Sequence, residues 1–316
     1  MASQAIIANQ RAAGGGSTPS GPSLDNAKAI MDSFTYTGEM LQDVKFMDGN
    51  PYVLLTFETS GVLTVDGEYT GDVWLCGGGG GGAHMRSSSA PSYGPGGGGG
   101  GGFTTNCFGV AVESGTITIG SGGAGHTGSS VATINSSGRG GSTTYLTYAA
   151  AGGGGGTGHG TQDTTTGNPV LAYADGGSGG GAPLFVDAAS HTVSTTRIRA
   201  GTGQGKTTRP FESLEMPPYC AGGGAGTAGP SSDFSGTYYG GCGGSDGSGG
   251  TQANTSIPGT GGYRSGGDGA LNASTPPTAG WQYGGGGGGG GYMSGGGNVD
   301  RGANGFPGAV MIRIRL

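Results

Sequence analysis

Residues 72–82 read Asp72-Val73-Trp74-Leu75-Cys76-Gly77-Gly78-Gly79-Gly80-Gly81-Gly82, a strand-like stretch that runs with no turn signal into six consecutive glycines. The first half has the β-branched and aromatic composition of a buried strand. The second half has no side chain with which to build a core. Glycine gives up roughly 0.5–1 kcal/mol more on ordering than alanine, so fixing all 83 glycines of this chain costs on the order of 40–80 kcal/mol extra. Either the runs stay disordered or a large compensating term holds them. Only nine of the glycines precede Cys76, so the Cys76/Gly77 junction divides the chain into two compositions.

Toward the N-terminus, residues 34–76 read as a small β region. Val44 to Met47, Tyr52 to Glu58, Val62 to Val65 and Val73 to Cys76 are strand-like, separated by Asp48-Gly49-Asn50-Pro51 and Ser60-Gly61. Residues 1–33 read as an attachment arm. Gly14 to Pro22 has linker composition, and Leu24, Ala27, Ile30 and Met31 carry the spacing of a short helix.

Toward the C-terminus, residues 77–316 form a glycine-rich body. Glycine clusters recur at irregular intervals, which excludes a solenoid of strict period. Between them stand Phe103, Phe108, Ile117, Ile119, Tyr145, Leu146, Tyr148, Phe185, Val193 and Ile198, residues that a disordered linker has no reason to hold. Phe108 to Ile119, turning at Glu113-Ser114-Gly115, and Val310 to Leu316 read as strands. The body is therefore expected to be ordered.

Polyglycine in its extended helical form has three residues per turn and a rise of ~3.1 Å, so Gly284 to Gly291 would make a rod of ~25 Å. Such rods can pack at contact distance and hydrogen-bond backbone to backbone. At about 1 kcal/mol net per bond, with dispersion added, this is a term of the required size. Threefold geometry also predicts layers, with pure runs inside and runs bearing one side chain in three outside. Gly240 to Thr251 would place Cys242, Ser245, Ser248 and Thr251 on one outward face, breached by Asp246, and Ser121, Ala124, Thr127 and Ser130 keep the same step, as do Ala225 and Ala228. The expected fold is mainly irregular and β, a bundle of packed polyglycine II helices with flanking β-strands, preceded by a small N-terminal attachment segment.

Several chemistries are excluded. With 10% charged residues and a net charge of −6 there is no basic stripe for nucleic acid. No apolar run is long enough to span a membrane, and residues 1–11 lack a secretion signal, so the chain is expected to be made in the cytosol. Cys76, Cys107, Cys220 and Cys242 lack metal-binding spacing and read as free buried thiols, with a disulfide formed after release left open. Ala200-Gly201-Thr202-Gly203-Gln204-Gly205-Lys206-Thr207 imitates a phosphate loop, but Arg209-Pro210 and Met216-Pro217-Pro218 forbid the long helix that must follow. His84, His126, His159 and His191 are scattered, as are the carboxylates. No enzyme, metal, nucleotide or cofactor is expected.

The glycine-poor segments 84–93, 145–148, 161–173, 209–219, 231–239 and 270–283 combine Tyr and Trp with Ser, Gly and Asn, the composition of an adaptable recognition surface. Tyr93, Tyr145, Tyr148, Phe234, Tyr238, Tyr239, Trp281 and Tyr283 are the candidate anchors. The alternative, that these aromatics wrap the ends of the glycine layers, stays open.

The chain resembles the glycine-rich phage proteins that include tail-fibre tip adhesins. The resemblance rests on Leu55 to Val65, on Asp72-Val73-Trp74-Leu75-Cys76 entering Gly77 to Gly82, and on Gly305-Phe306-Pro307-Gly308 leading into the closing strand Ala309 to Arg315. It brackets residues 54–316 and leaves residues 1–53 without a counterpart. It implies a polyglycine II body whose variable loops bind a receptor, glycan or protein, on a host bacterium, mounted in the virion through residues 1–75 on other tail or virion proteins, with a homotrimer as one possible assembly. The alternatives are a structural virion component, such as a capsid or tail decoration protein, and a non-viral extracellular structural or ice-binding protein.

Overall fold

The computed structural model describes residues 24–83, 92–93, 96–126, 138–156, 174–187, 193–194, 199–228, 237–254, 257–271, 275–291 and 301–316. Helix α1 (Leu24–Asp32) precedes β1 (Phe34–Tyr36), β2 (Met40–Met47), β3 (Asn50–Phe57), β4 (Gly61–Val65) and β5 (Tyr69–Cys76). Further along lie β6 (Ser92–Tyr93), β7 (Thr104–Val112), β8 (Gly115–Thr118), β9 (Thr143–Tyr145), β10 (Tyr148–Ala150), β11 (Phe185–Asp187), β12 (Val193–Ser194), β13 (Thr227–Ala228), β14 (Tyr238–Tyr239) and β15 (Ala309–Arg315).

Two antiparallel five-stranded sheets, ordered β1-β4-β8-β9-β10 and β2-β3-β15-β5-β7, face each other. The alternation along each strand decides the facing residues. Val53, Leu55 and Phe57 of β3, Val73 and Leu75 of β5, and Val310, Ile312 and Ile314 of β15 point into the shared core. Phe34, Leu63, Ile117 and Tyr145 meet them from the other sheet, and Ala27 and Ile30 of α1 join the same cluster. Glu113-Ser114 carries the chain from one sheet to the other, because β7 and β8 belong to different sheets. The sequence boundary at residue 76 is not a boundary of this sandwich. β15 lies between β3 and β5, with Ile312 opposite Leu55 on one side and Val73 on the other.

The opposite face of the second sheet is covered as well. Met47, Tyr52, Leu54, Trp74 and Met311 pack under Phe211, Met216 and Cys220, with Tyr219 and Tyr283 at the margin. Arg313 lies on this face, 7% exposed, with its guanidinium 4.7 Å from the ring centres of both Tyr52 and Phe211. Its Nε donates to Asp72 and its Nη1 to Asp48, each at 2.8 Å. The register shift between Gly71 and Val73 falls at Asp72, whose other oxygen accepts from the Gly109 N–H. A buried cation thus has two carboxylates and two aromatic faces, the conditions under which burial is tolerable.

The glycine runs leave the sandwich from the ends of its strands and are ordered by one another. In residues 77–83, the N–H groups of Gly78 and Gly81 donate to Gly141 and Gly138, those of Gly79 and Gly82 to Phe306 and Ala303, and those of Gly80 and Ala83 to Gly100 and Gly97. Their carbonyls accept with the same step, from Gly153 and Gly156, Gly123 and His126, and Gly287 and Gly290. The segment is therefore bonded to six neighbours at N···O distances of 2.8–3.0 Å, and every partner recurs three residues on.

This closeness explains the composition. A Cβ on Gly80 would lie 2.0 Å from the carbonyl oxygen of Gly154, and one on Gly79 would lie 2.1 Å from that of Gly285. Only glycine lets a backbone occupy that position, and in the runs the requirement is space, since neither residue has positive φ. Runs 77–82, 96–102 and 284–291 are buried throughout, while Ser121 and Ala124 face outward, matching the layering expected; Thr127 and Ser130 lie outside the described residues.

Two details of that layering are different. Residues 240–251 do not form one rod. Asp246 and Gly247, with φ of 47° and 85°, reverse the chain, and Cys242 and Thr251 face each other, the Thr251 N–H donating to the Cys242 carbonyl. The aspartate that breached the threefold step is a turn residue of an Asp-Gly reversal. Ala225 is fully buried, since residues 221–226 bond to neighbours on several sides and run inside the bundle; the Ala228 side chain lies outside the described residues.

Candidate recognition end of the glycine bundle

The bundle has two unlike ends. At the near end, against the sandwich, Gly77 donates to Phe103, Gly102 to Gly284, Gly284 to Pro307 and Gly308 to Gly120. At the far end, Ala83 is level with Gly97 and Gly290, His126 with Gly82, and Gly226 with Gly96. Four reversals at the near end are short, residues 176–178, 245–248, 263–265 and 282–284, and the longer connection 205–219 there packs onto the sandwich. The flanks of segments 84–95, 127–137, 157–173, 185–198, 228–239, 271–277 and 292–300 are run ends that stand toward the far end. Each of these segments is poorer in glycine than the runs it joins and carries at least two of Ser, Thr, Asn and Tyr.

Among the described residues of the far end, β6 pairs with β11 and β11 with β12, placing Tyr93 opposite Val186. β13 pairs with β14, setting Thr227 opposite Tyr239 and Ala228 opposite Tyr238, and Tyr239 exchanges backbone hydrogen bonds with Asn254. The Asn254 side chain accepts from the Ile257 N–H at 2.6 Å. Tyr238 and Tyr239 are half-buried, and Ile257 and Leu271 are exposed. Paired backbone thus fixes a platform bearing aromatic and aliphatic side chains. It can grip a ligand by stacking and apolar contact, with hydroxyls and amides for orientation.

The candidate anchors separate into two groups. Tyr93, Tyr238 and Tyr239 belong to this end, and Phe234 lies outside the described residues, between Ala228 and Thr237. The other four are at the sandwich end. Tyr145 is fully enclosed, its hydroxyl donating to the Glu113 carbonyl at 2.6 Å, and burial pushes its phenol up to about 12. It is a core residue, because its place on β9 turns it inward against Ile117 and the opposite sheet. Tyr148 packs half-buried against the same core. Tyr283 donates to Glu58 and lies 5.2 Å from the Tyr219 ring. Burial raises its phenol pKa, and the Glu58 hydrogen bond adds to the rise. Trp281 is 55% exposed, but its backbone N–H donates to the Ser265 carbonyl at the near end, beside Tyr263 and Arg264.

The phosphate-loop look-alike is a joint between bundle and sandwich. Gln204 accepts from the Thr104 N–H and donates to the Thr104 hydroxyl and the Thr207 carbonyl. The short 3-10 turn Pro210–Glu212 follows, with Phe211 at φ 57°. Asp246 accepts from the Thr207 hydroxyl, the Thr208 N–H and Arg209. Burial pushes the Asp246 carboxyl up, but these hydrogen bonds outweigh it and hold its pKa below the usual range. The role of Asp246 was hidden by its spacing within a glycine run, although the Asp-Gly dipeptide itself was a turn signal.

Among the described residues no group of three His, Cys, Asp or Glu side chains is placed to hold a metal ion, and no helix is long and apolar enough to cross a membrane. Residues 58–315 match the model of a family described as a glycine-rich domain. No curated protein matches the chain.

Proposed function

The chain belongs to the glycine-rich domain family, and from that premise we propose that it is a receptor-binding protein of a phage virion, a tail-fibre or tail-tip adhesin that recognises a bacterial surface glycan or protein and performs no chemistry on it. The body is read as packed polyglycine II helices, supported by the three-residue step of its hydrogen bonding. The sandwich, with the arm before it, is the mount on other virion proteins, and the protein works on the outside of the particle.

One observation carries the reading. Glycine-poor segments join the runs at the far end, whereas beside the sandwich four reversals are tight turns and the longer connection 205–219 is packed onto the second sheet. A stiff body whose runs end together where the variable segments begin is how a scaffold presents a binding surface. The aromatic contribution is accordingly assigned to Tyr93, Tyr238 and Tyr239, with Phe234 in the same segment.

Labelled full-length protein is mixed with intact cells of a bacterial panel and cell-bound label is measured. Binding to a susceptible strain falls about tenfold or more in Tyr238→Ala/Tyr239→Ala, the size expected for loss of aromatic anchors, and Trp281→Ala binds like the parent. Adsorption unchanged by the tyrosine pair, or gold label spread as a lattice over the particle instead of sitting at a tail or fibre tip, overturns the reading.

A further inference from the structure

β2 is an edge strand of eight residues, and among the described residues it pairs only with β3. Its Leu41, Val44 and Phe46 side chains are exposed by 56%, 42% and 69%. Long apolar edges are templates for further strand pairing. The Glu58 N–H donates to the Glu39 carbonyl, so the bonds to β3 fall on the odd-numbered residues. The Val44 N–H instead bonds to the Asp43 carboxylate at 2.8 Å. Gln42, Val44 and Phe46 therefore turn their backbone groups toward the open side.

From this edge we infer that two copies of the chain pair β2 against β2, antiparallel, about a twofold axis through Val44. Charge selects the register. Asp43 and Lys45 lie on one face, 4.0 Å apart. With the axis at Asp43 two carboxylates would stand opposite each other, and with the axis at Lys45 two ammonium groups would do so, both unfavourable. With the axis at Val44, each Asp43 faces Lys45 of the second copy. Val44 then meets Val44, and Phe46 lies beside Gln42, whose Nε2 is held by the Met31 carbonyl of α1. The Val44 N–H exchanges its Asp43 bond for the opposing Val44 carbonyl, which frees the carboxylate for the lysine. The continuous sheet joins two sandwiches and leaves both far ends free, and this pairing stands independently of the receptor assignment.

Analytical ultracentrifugation of the full chain over a concentration series tests the pairing. The parent sediments as a dimer. Asp43→Lys and Lys45→Asp each place like charges opposite one another twice and weaken dimerisation about tenfold or more. Mixed in equal amounts, the two variants form a heterodimer. Positions 43 and 45 are then both lysine in one strand and both aspartate in the other, so each cross-strand pair regains opposite charges, and this rescue also shows both variants to be folded. A monomeric or trimeric parent, single variants that dimerise like the parent, or a mixture that stays monomeric overturns the inference.

Discussion

The sandwich and the glycine bundle share a chain but are held together by opposite means. In the sandwich, side chains such as Leu55, Val73, Ile117 and Ile312 fill the space between sheets, and burial of apolar area supplies the stabilisation. In the bundle there are almost no side chains to bury, and residues 77–83 are held by backbone bonds to six neighbours. A hydrophobic core tolerates a changed methyl group by partial relaxation. A bundle locked at carbonyl contact distance has no such freedom.

The sharpest way to break that contrast is Gly80→Ala. Its methyl carbon would stand 2.0 Å from the Gly154 oxygen, inside a segment fixed on every side. The expected cost exceeds about 4–5 kcal/mol, at the extreme for one substitution, read as loss of soluble folded protein or of its cooperative thermal transition. Gly138→Ala is the control, because its nearest neighbour is 3.6 Å away; its melting temperature stays close to that of the parent.

A smaller effect is expected at the seam. Arg313→Ala leaves the carboxylates of Asp72 and Asp48 without their cation and empties the space between Tyr52 and Phe211. Urea unfolding should show a loss of about 3–5 kcal/mol, the range for breaking a buried ion pair from one side.

The smallest effect is acid sensitivity of the joints. The hydrogen bond from Arg313 holds Asp48 below the usual carboxylate range, and Asp246 is held low against the effect of its own burial. Both have folded-state pKa values below the unfolded value of about 3.9. Their contribution is complete above that pH and is lost as pH falls through the folded values. Melting temperature should be flat near neutrality and decline below about pH 4. Asp246→Asn, which tolerates the same positive φ, should lower the neutral-pH melting temperature and flatten the decline.

Much of the sandwich was legible because strand alternation is local. Tyr52 to Glu58, Val62 to Val65 and Val310 to Leu316 are strands within a residue or two of where composition places them, and the strand expected at Val73 to Cys76 begins four residues earlier, at Tyr69. The insertion of β15 between β3 and β5 was not legible, since pairing across more than two hundred residues leaves no local trace. Exposure of Ser121 and Ala124 followed from the threefold step, whereas the step through Cys242, Ser245 and Ser248 ran across a chain reversal. Of the candidate anchors, Tyr238 and Tyr239 could not be told from Tyr145 and Tyr283 by composition, because an aromatic beside glycine looks the same in a core, at a seam and on a far-end platform.

The sequence by itself determined that two kinds of packing must coexist: strands that need a hydrophobic core, and runs whose missing side chains allow backbones to meet at hydrogen-bonding distance. Only the tertiary structure decided which run lies beside which, where the described reversals fall and at which end the runs meet the glycine-poor segments. The physical reason is that one glycine run is interchangeable with another. With no side chain to specify a partner or a register, both are imposed from outside, by the strands that anchor the runs at the near end and by the few polar residues, such as Gln204 and Asp246, that fix the joints.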